Sequence, residues 1–319
     1  MHVFLQIVLL IVGFAMLVKG ADWFVEGASE AASKLGIPQL VIGLTIVAMG
    51  TSAPEAAISI SAAVKHSADI AVGNVVGSNI LNILLILGIT AVITPLAVKH
   101  STVKYEIPFV IAISILLPII GLFDGSVGRI DGIILWACFI LYMIYLLKMA
   151  KAEPEAVREK KEMETELPRA RFSNLKIVVL IAIGLVLIIL GSNFTVDAAT
   201  ELARIMGVNE RIIGLTIVAF GTSLPELVTC IVAGLKKKAD IAIGNIVGSN
   251  IFNILFVLGT SALITNIPYQ RGFLVDSIVA VASALLLWVL VLKKGVLGRI
   301  GGVIMLIGYA AFFVYLVMS

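Results

Sequence analysis

The chain has 319 residues, 60% hydrophobic and 13% charged, where a soluble domain carries about 25% charged residues; an ordinary soluble fold is excluded. The net charge of +3 says little, because the distribution of Lys and Arg over loops, not their total, orients a membrane protein.

The first apolar run, residues 3–18, follows Met1-His2-Val3. It has no positive n-region before it and no small-residue cleavage site after it, so it reads as a retained helix rather than a signal peptide. Residues 37–64 and 69–94 are equally apolar but broken by Gly, Pro, Ser, Thr, Asn and a carboxylate each. The runs 105–123 and 130–148 approach the ~20 residues that cross the hydrocarbon core. Residues 149–173 are rich in alternating charge and read as a solvated linker, too short to fold as a regulatory domain. Beyond it, 174–192 is a clean span, 211–235 and 240–265 are interrupted spans, and 273–292 and 297–318 close the series. Counting the interrupted segments gives ten spans. Cys138 and Cys230 both fall in apolar runs, so no disulfide framework is expected.

Internal repetition organises these spans. GLTIVAMGTSAPE at 43–55 returns as GLTIVAFGTSLPE at 214–226, and DIAVGNVVGSNILNILLILG at 69–88 returns as DIAIGNIVGSNIFNILFVLG at 240–259. Both pairs are offset by 171 residues, as from Glu55 to Glu226. Gly20, Glu26 and Glu30 echo in Gly191, Asp197 and Glu201, so the duplication spans each whole half. Five spans per half is an odd number, which makes the second copy enter from the opposite side. With both termini outside, eighteen of the 23 Lys and Arg fall in cytoplasmic loops, including Lys34, Lys99, Lys160 and Lys236 to Lys238. Only Lys65, Arg129, Arg204, Arg211 and Arg271 stay outside, the asymmetry expected of a correct assignment. The expected fold is an all-α membrane protein of ten transmembrane helices in two inverted five-helix repeats, 1–148 and 174–319, joined by the cytoplasmic linker. Its expected place is the cell (inner) membrane, multi-pass.

Glu55 and Glu226 are the carboxylates read as lying deep within spans. A charge there costs ~2.5–3.5 kcal/mol even on lenient insertion scales, so each marks a functional site. Thr51 and Ser52 flank Glu55 on what reads as one helix, and Pro54 frees nearby carbonyls because it lacks an N–H; Thr222, Ser223 and Pro225 repeat this around Glu226. Broken mid-membrane helices are where transporters build ion sites. Asn74, Ser78 and Asn82, like Asn245, Ser249 and Asn253, recur every four residues and give each helix one polar stripe, which helix packing alone also explains. Gly73 and Gly77, like Gly244 and Gly248, form GxxxG packing patterns. Asp69 and Asp240 stand at span starts and read as helix caps. Calcium takes six to eight oxygens at ~2.3–2.6 Å, a need met by carboxylates, hydroxyls, amide oxygens and freed carbonyls; the lack of a Cys, His or Met cluster disfavours soft metals.

GTSAPE and GTSLPE, each followed by GNVVGSN or GNIVGSN, resemble the two alpha repeats of the calcium/cation antiporter superfamily, and most closely its prokaryotic sodium/calcium exchangers. The resemblance implies that calcium and sodium compete for Glu55 and Glu226 and exchange by alternating access. It places coordinating hydroxyls on Thr51, Ser52, Ser78, Thr222, Ser223 and Ser249, carbonyl ligands on Ala48 and Ala219, and the remaining positions on Asn82 and Asn253. Some members carry an aspartate at one of these last two positions; two asparagines leave this site one potential charge fewer. Spans two, three, seven and eight are expected to form the core, with spans one and six sliding against it. One calcium neutralises two ionised glutamates and three sodium ions overcompensate, so such exchange is electrogenic. The rival is a proton-coupled calcium antiporter of the same fold. An intramembrane hydrolase lacks a mid-span base, and a closed two-carboxylate site favours binding over channel conduction. No enzyme activity, cofactor, nucleic acid or obligatory protein partner is expected; the expected partners are calcium, sodium and the bilayer.

Overall fold

The computed structural model describes residues 2–65, 69–161, 172–207 and 219–318. In chain order the helices are α1 (His2–Leu35), α2 (Gln39–Thr51), α3 (Ala53–Val64), α4 (Ile70–Ile93), α5 (Thr102–Phe123) and α6 (Arg129–Lys161). They continue as α7 (Asn174–Ile205), α8 (Leu224–Leu235), α9 (Ala239–Ile264), α10 (Gly272–Leu292) and α11 (Arg299–Met318). Among the described residues eight helices are long and apolar enough to cross a membrane, and the bent pair α2–α3 brings the number to nine. The expected span at 211–235 contributes only its second part, α8, because residues 211–218 lie outside the described ones.

Burial ranks the helices. The apolar window of α9 is 94% buried and that of α4 72% buried, whereas those of α1 and α11 are each 17% buried. The two central helices therefore carry the core, and the peripheral ones turn Phe4, Ile11, Ile300 and Ile307 outward, as a lipid-facing surface requires. Two-residue strands tie the helix ends: β1 (Leu96–Ala97) pairs with β4 (Val296–Leu297), and β2 (Ser126–Val127) with β3 (Ile267–Pro268), both antiparallel.

Residues 19–35, beyond the apolar run 3–18, continue α1 as one helix of 34 residues. At 1.5 Å per residue it is far longer than the ~30 Å hydrocarbon core. α1 packs along α7 through glycines. A methyl at Gly20 or Gly184 would lie 2.8 Å from the other's carbonyl, and one at Gly191 would lie 2.7 Å from that of Gly13. Small residues let membrane helices approach this closely. Within the expected linker, α6 runs on to Lys161: Ala, Glu, Lys and Arg are good helix formers and prolong the span they follow. Residues 162–171 lie outside the described ones.

Gly244 and Gly248 pack as expected, their added methyls meeting the α2 backbone at 3.0 and 2.7 Å. Gly73 faces only Phe273 at an ordinary 3.6 Å, and Gly77 meets nothing within 4 Å among the described residues.

Candidate cation site

The site begins with a correction. Thr51, Ser52 and Glu55 do not share one helix: Ser52, at φ −82° and ψ 8°, ends α2 and precedes α3, and the two pieces meet at 52°. Pro54, in the first turn of α3, explains the break, because it has no N–H to continue the α2 ladder and fits a helix start. Ser223 (φ −94°, ψ 7°) and Pro225 do the same ahead of α8. Each break thus puts a glutamate in the first turn of a new helix, where the dipole favours negative charge, while the Ala48 carbonyl of the preceding piece keeps a backbone donor in Ser52 N–H at 3.0 Å.

The two breaks are cross-linked. Ser52 Oγ donates to Glu226 Oε1 at 2.8 Å, and Ser223 Oγ donates to Glu55 Oε1 at 3.0 Å. Each carboxylate is held by the serine of the other half, so both face one space. Ser52, Glu55, Ser223 and Glu226 are all fully buried.

The central helices close this space. α4 and α9 each contain a π-helical stretch, Leu81–Leu87 and Asn253–Leu258, a feature common where helices serve a site. α3 packs against the stretch that begins at Asn253, and α8 against the one that includes Asn82. Thr51 Oγ1 donates to Asn245 Oδ1 at 3.0 Å, and Ser249 Oγ reaches the Ala48 carbonyl at 3.4 Å. Asn74, equivalent to Asn245 in the repeat, instead donates to the Glu55 carbonyl and Ser59 Oγ at 3.1 and 2.8 Å. Ser78 is buried on α4, Ala219 opens the short turn Ala219–Gly221, and Thr222 lies at the second break.

Asn79 and Asn250 were not picked out from the sequence. Each donates to the other's backbone carbonyl at 3.2 Å, while Asn82 donates to Asn250 Oδ1 at 3.1 Å and Asn253 to Asn79 Oδ1 at 3.2 Å. The signal was available, since both sit in the repeated GSN triplet, but they fall off the four-residue stripe. This asparagine cluster consumes the amide N–H groups of Asn82 and Asn253 and leaves their oxygens over.

Around the two breaks, four buried oxygens have no donor among the described residues: Glu55 Oε2, Glu226 Oε2, Asn82 Oδ1 and Asn253 Oδ1. Burying an acceptor without a donor costs about 1–3 kcal/mol, a penalty that a bound hard cation removes. Among the described residues no group of three His, Cys, Asp or Glu comes together, so the arrangement suits an ion held by two carboxylates plus neutral oxygens. Beside both breaks lies a cavity of about 520 Å³, lined by Pro54, Ser192, Asn193, Asp197 and Thr222.

Asp240 does not cap its helix. Lys238 holds the cap position without a side-chain bond, and the Asp240 carboxylate pairs with Lys99 at 3.2 Å, which neutralises it away from the site; the Asp69 side chain lies outside the described residues. Nor are Glu55 and Glu226 the only buried carboxylates, because Glu106 on α5 is 1% exposed.

Residues 5–148 and 176–318 match the family described as sodium/calcium exchanger protein. The chain is 41% identical over 288 residues to inner membrane protein YrbG of Escherichia coli (strain K12), covering 88% of each. It is 30% identical over 342 residues to sodium/calcium exchanger MaX1 of Methanosarcina acetivorans, covering 97% of each. Putative antiporter CaxA of Alkalimonas amylolytica is 41% identical over 297 residues, 93% of this chain and 92% of that one. In structure the chain is similar to sodium-calcium exchanger NCX_Mj, with TM-score 0.82 at 33% identity over 97% of this chain and 98% of the other. On its paired motifs, its fold and these similarities, the chain belongs to the sodium/calcium exchanger protein family.

Proposed function

We propose that this multi-pass membrane antiporter exchanges calcium for sodium by alternating access, with both ions competing for Glu55 and Glu226. The observation that carries this is the set of four buried, donor-free oxygens on two carboxylates and two asparagines. Thr51, Ser52, Thr222, Ser223, Ser78 and Ser249 supply hydroxyl oxygens, whose lone pairs stay available when the hydrogen is donated elsewhere. Ala48 and Ala219 supply carbonyls. Calcium brings two charges to two carboxylates, which offsets its loss of water; sodium ions reach the same balance only in numbers. The reaction is ion translocation, and no residue acts as a catalyst.

Calcium uptake into sodium-loaded proteoliposomes, compared with uptake under a proton gradient in sodium-free buffer, tests the coupling. Sodium-dependent uptake is expected. Uptake driven by the proton gradient alone would replace this reading with proton-coupled exchange.

The same reading has ten helices in two inverted repeats, residues 1–148 and 174–319, with the linker 149–173 cytoplasmic and both termini outside. Its support is that charges assigned to the cytoplasmic side meet one another: Lys236 pairs with Asp22 at 2.7 Å and Glu26 at 3.7 Å, Lys99 pairs with Asp240, and Lys34 Nζ donates to the Phe172 carbonyl at 3.3 Å. Single cysteines at positions 65 and 237, both exposed, introduced into a variant lacking Cys138 and Cys230, should label from opposite sides of the membrane. Labelling from one side would overturn the inversion.

A further inference from the structure

A third buried carboxylate sits in a pocket that the cation site does not use. A π-helical turn, Thr102–Glu106, opens α5 and turns Thr102, Val103 and Glu106 inward together. The equivalent position in the second half is Ser277, which lies in α-helical α10 and hydrogen-bonds to the Tyr269 hydroxyl at 2.7 Å. The carboxylate therefore belongs to one half only, unlike every residue of the duplicated site. It lines a cavity of about 450 Å³ between α5 and α6, walled by Phe109, Cys138, Tyr142 and Tyr145. Phe109 stacks on Tyr142 at 5.6 Å, and Tyr142 on Tyr145 at 6.4 Å.

Glu106 is 1% exposed. Its Oε1 accepts from the Tyr145 hydroxyl, while Oε2 and the Tyr142 hydroxyl have no hydrogen-bond partner among the described residues. A buried carboxyl group and a buried phenol thus line an aromatic box, which matches a cation that donates hydrogen bonds. A quaternary ammonium has no N–H and would leave both acceptors unmet; a primary ammonium carries N–H donors for both. Two features indicate that the amine comes from the bilayer. Leu141, on the cavity wall, is 66% exposed on a membrane-spanning helix, so the cavity reaches the lipid-facing surface. Lys104 stands exposed at the rim with Nζ 5.3 Å from the Tyr105 ring, where a headgroup phosphate would meet it, in the interfacial setting that Lys and Tyr favour.

We propose that this pocket binds the headgroup of an ethanolamine phospholipid, its ammonium on Glu106 and Tyr142 and its phosphate at Lys104. Cys138 provides the readout, because it lines the pocket and is half-buried while Cys230 is fully buried. In a Cys230→Ala variant, the rate at which a membrane-permeant maleimide modifies Cys138 is measured in liposomes of phosphatidylcholine, and in liposomes containing phosphatidylethanolamine. Further arms use phosphatidylcholine liposomes with soluble phosphoethanolamine, and the added substitutions Glu106→Gln and Tyr142→Phe. Lipid at a few times its dissociation constant should slow modification about five-fold, since only the unoccupied fraction reacts. Glu106→Gln should abolish the difference, and Tyr142→Phe should reduce it. Equal rates in the two lipids, which need no pocket variant to observe, would overturn the proposal. So would protection by soluble phosphoethanolamine matching that of the lipid, or protection that survives Glu106→Gln. The outcome is independent of whether calcium transport is coupled to sodium.

Discussion

Glu55→Gln and Glu226→Gln should each reduce calcium uptake into sodium-loaded proteoliposomes to background. Glutamine keeps the size of the side chain and can still accept from Ser223 or Ser52, the bonds seen at 3.0 and 2.8 Å, so the helix breaks should stay cross-linked. What it removes is the charge that compensates a divalent ion for lost hydration, and no neighbouring neutral oxygen replaces it. The protein itself should be no less stable, because the substitution removes a charge whose placement in mid-membrane costs ~2.5–3.5 kcal/mol. Thermal unfolding should show undiminished stability alongside lost calcium uptake. Asp240→Asn is the matched control: it removes a partly exposed ion pair with Lys99, worth ~0–1 kcal/mol, and should leave most of the transport. Wild-type uptake by either glutamine variant would show that these carboxylates are not the ion site.

Gly248→Val should disable the protein through packing rather than charge. A methyl at Gly248 falls 2.7 Å from the Leu44 carbonyl and 2.8 Å from the Leu44 Cα and the Ala48 methyl. Two of these are backbone atoms, so no rotamer change relieves the contact and α9 must move off α2. Overpacking of this kind costs about 1–3 kcal/mol and sometimes more. Here the displacement would also pull Ser249 from the Ala48 carbonyl and Asn245 from Thr51. The yield of monodisperse protein should drop and its uptake should fall to background. Gly73→Ala offers the contrast within the repeated motif, since its nearest neighbour is the Phe273 ring at 3.6 Å and exchanging Gly for Ala inside a helix gains up to ~1 kcal/mol. A Gly248→Val protein that transports normally would mean that α2 and α9 do not pack this tightly.

Much of the candidate site was legible because it is written twice. A mid-span glutamate after Thr-Ser-x-Pro is conspicuous against an apolar background, and the copy 171 residues on separates it from chance. Spans were legible for the same reason that the bilayer is a simple solvent: length and hydropathy decide which segments cross it. The helix breaks were readable only in part. Pro54 and Pro225 advertised a disturbance, but not whether the ladder would distort or end at Ser52, nor that the Ser52 hydroxyl would be anchored on Glu226 in the other half.

Residue types and their repetition were therefore enough to determine a helical membrane transporter with two carboxylates at its centre. Only the tertiary structure decided that Ser52 serves Glu226 and Ser223 serves Glu55, and that Asn79 and Asn250 bond to each other. It likewise decided that Asp240 is spent on Lys99, and that Glu106, near the end of its helix, is buried under Tyr145. Each of these is a pairing between segments far apart in the chain. Periodicity reports which face of one helix is polar, but it carries no information about which distant donor will meet that face. A buried polar group must be satisfied wherever the packing brings a partner, and the packing is settled by all the helices at once.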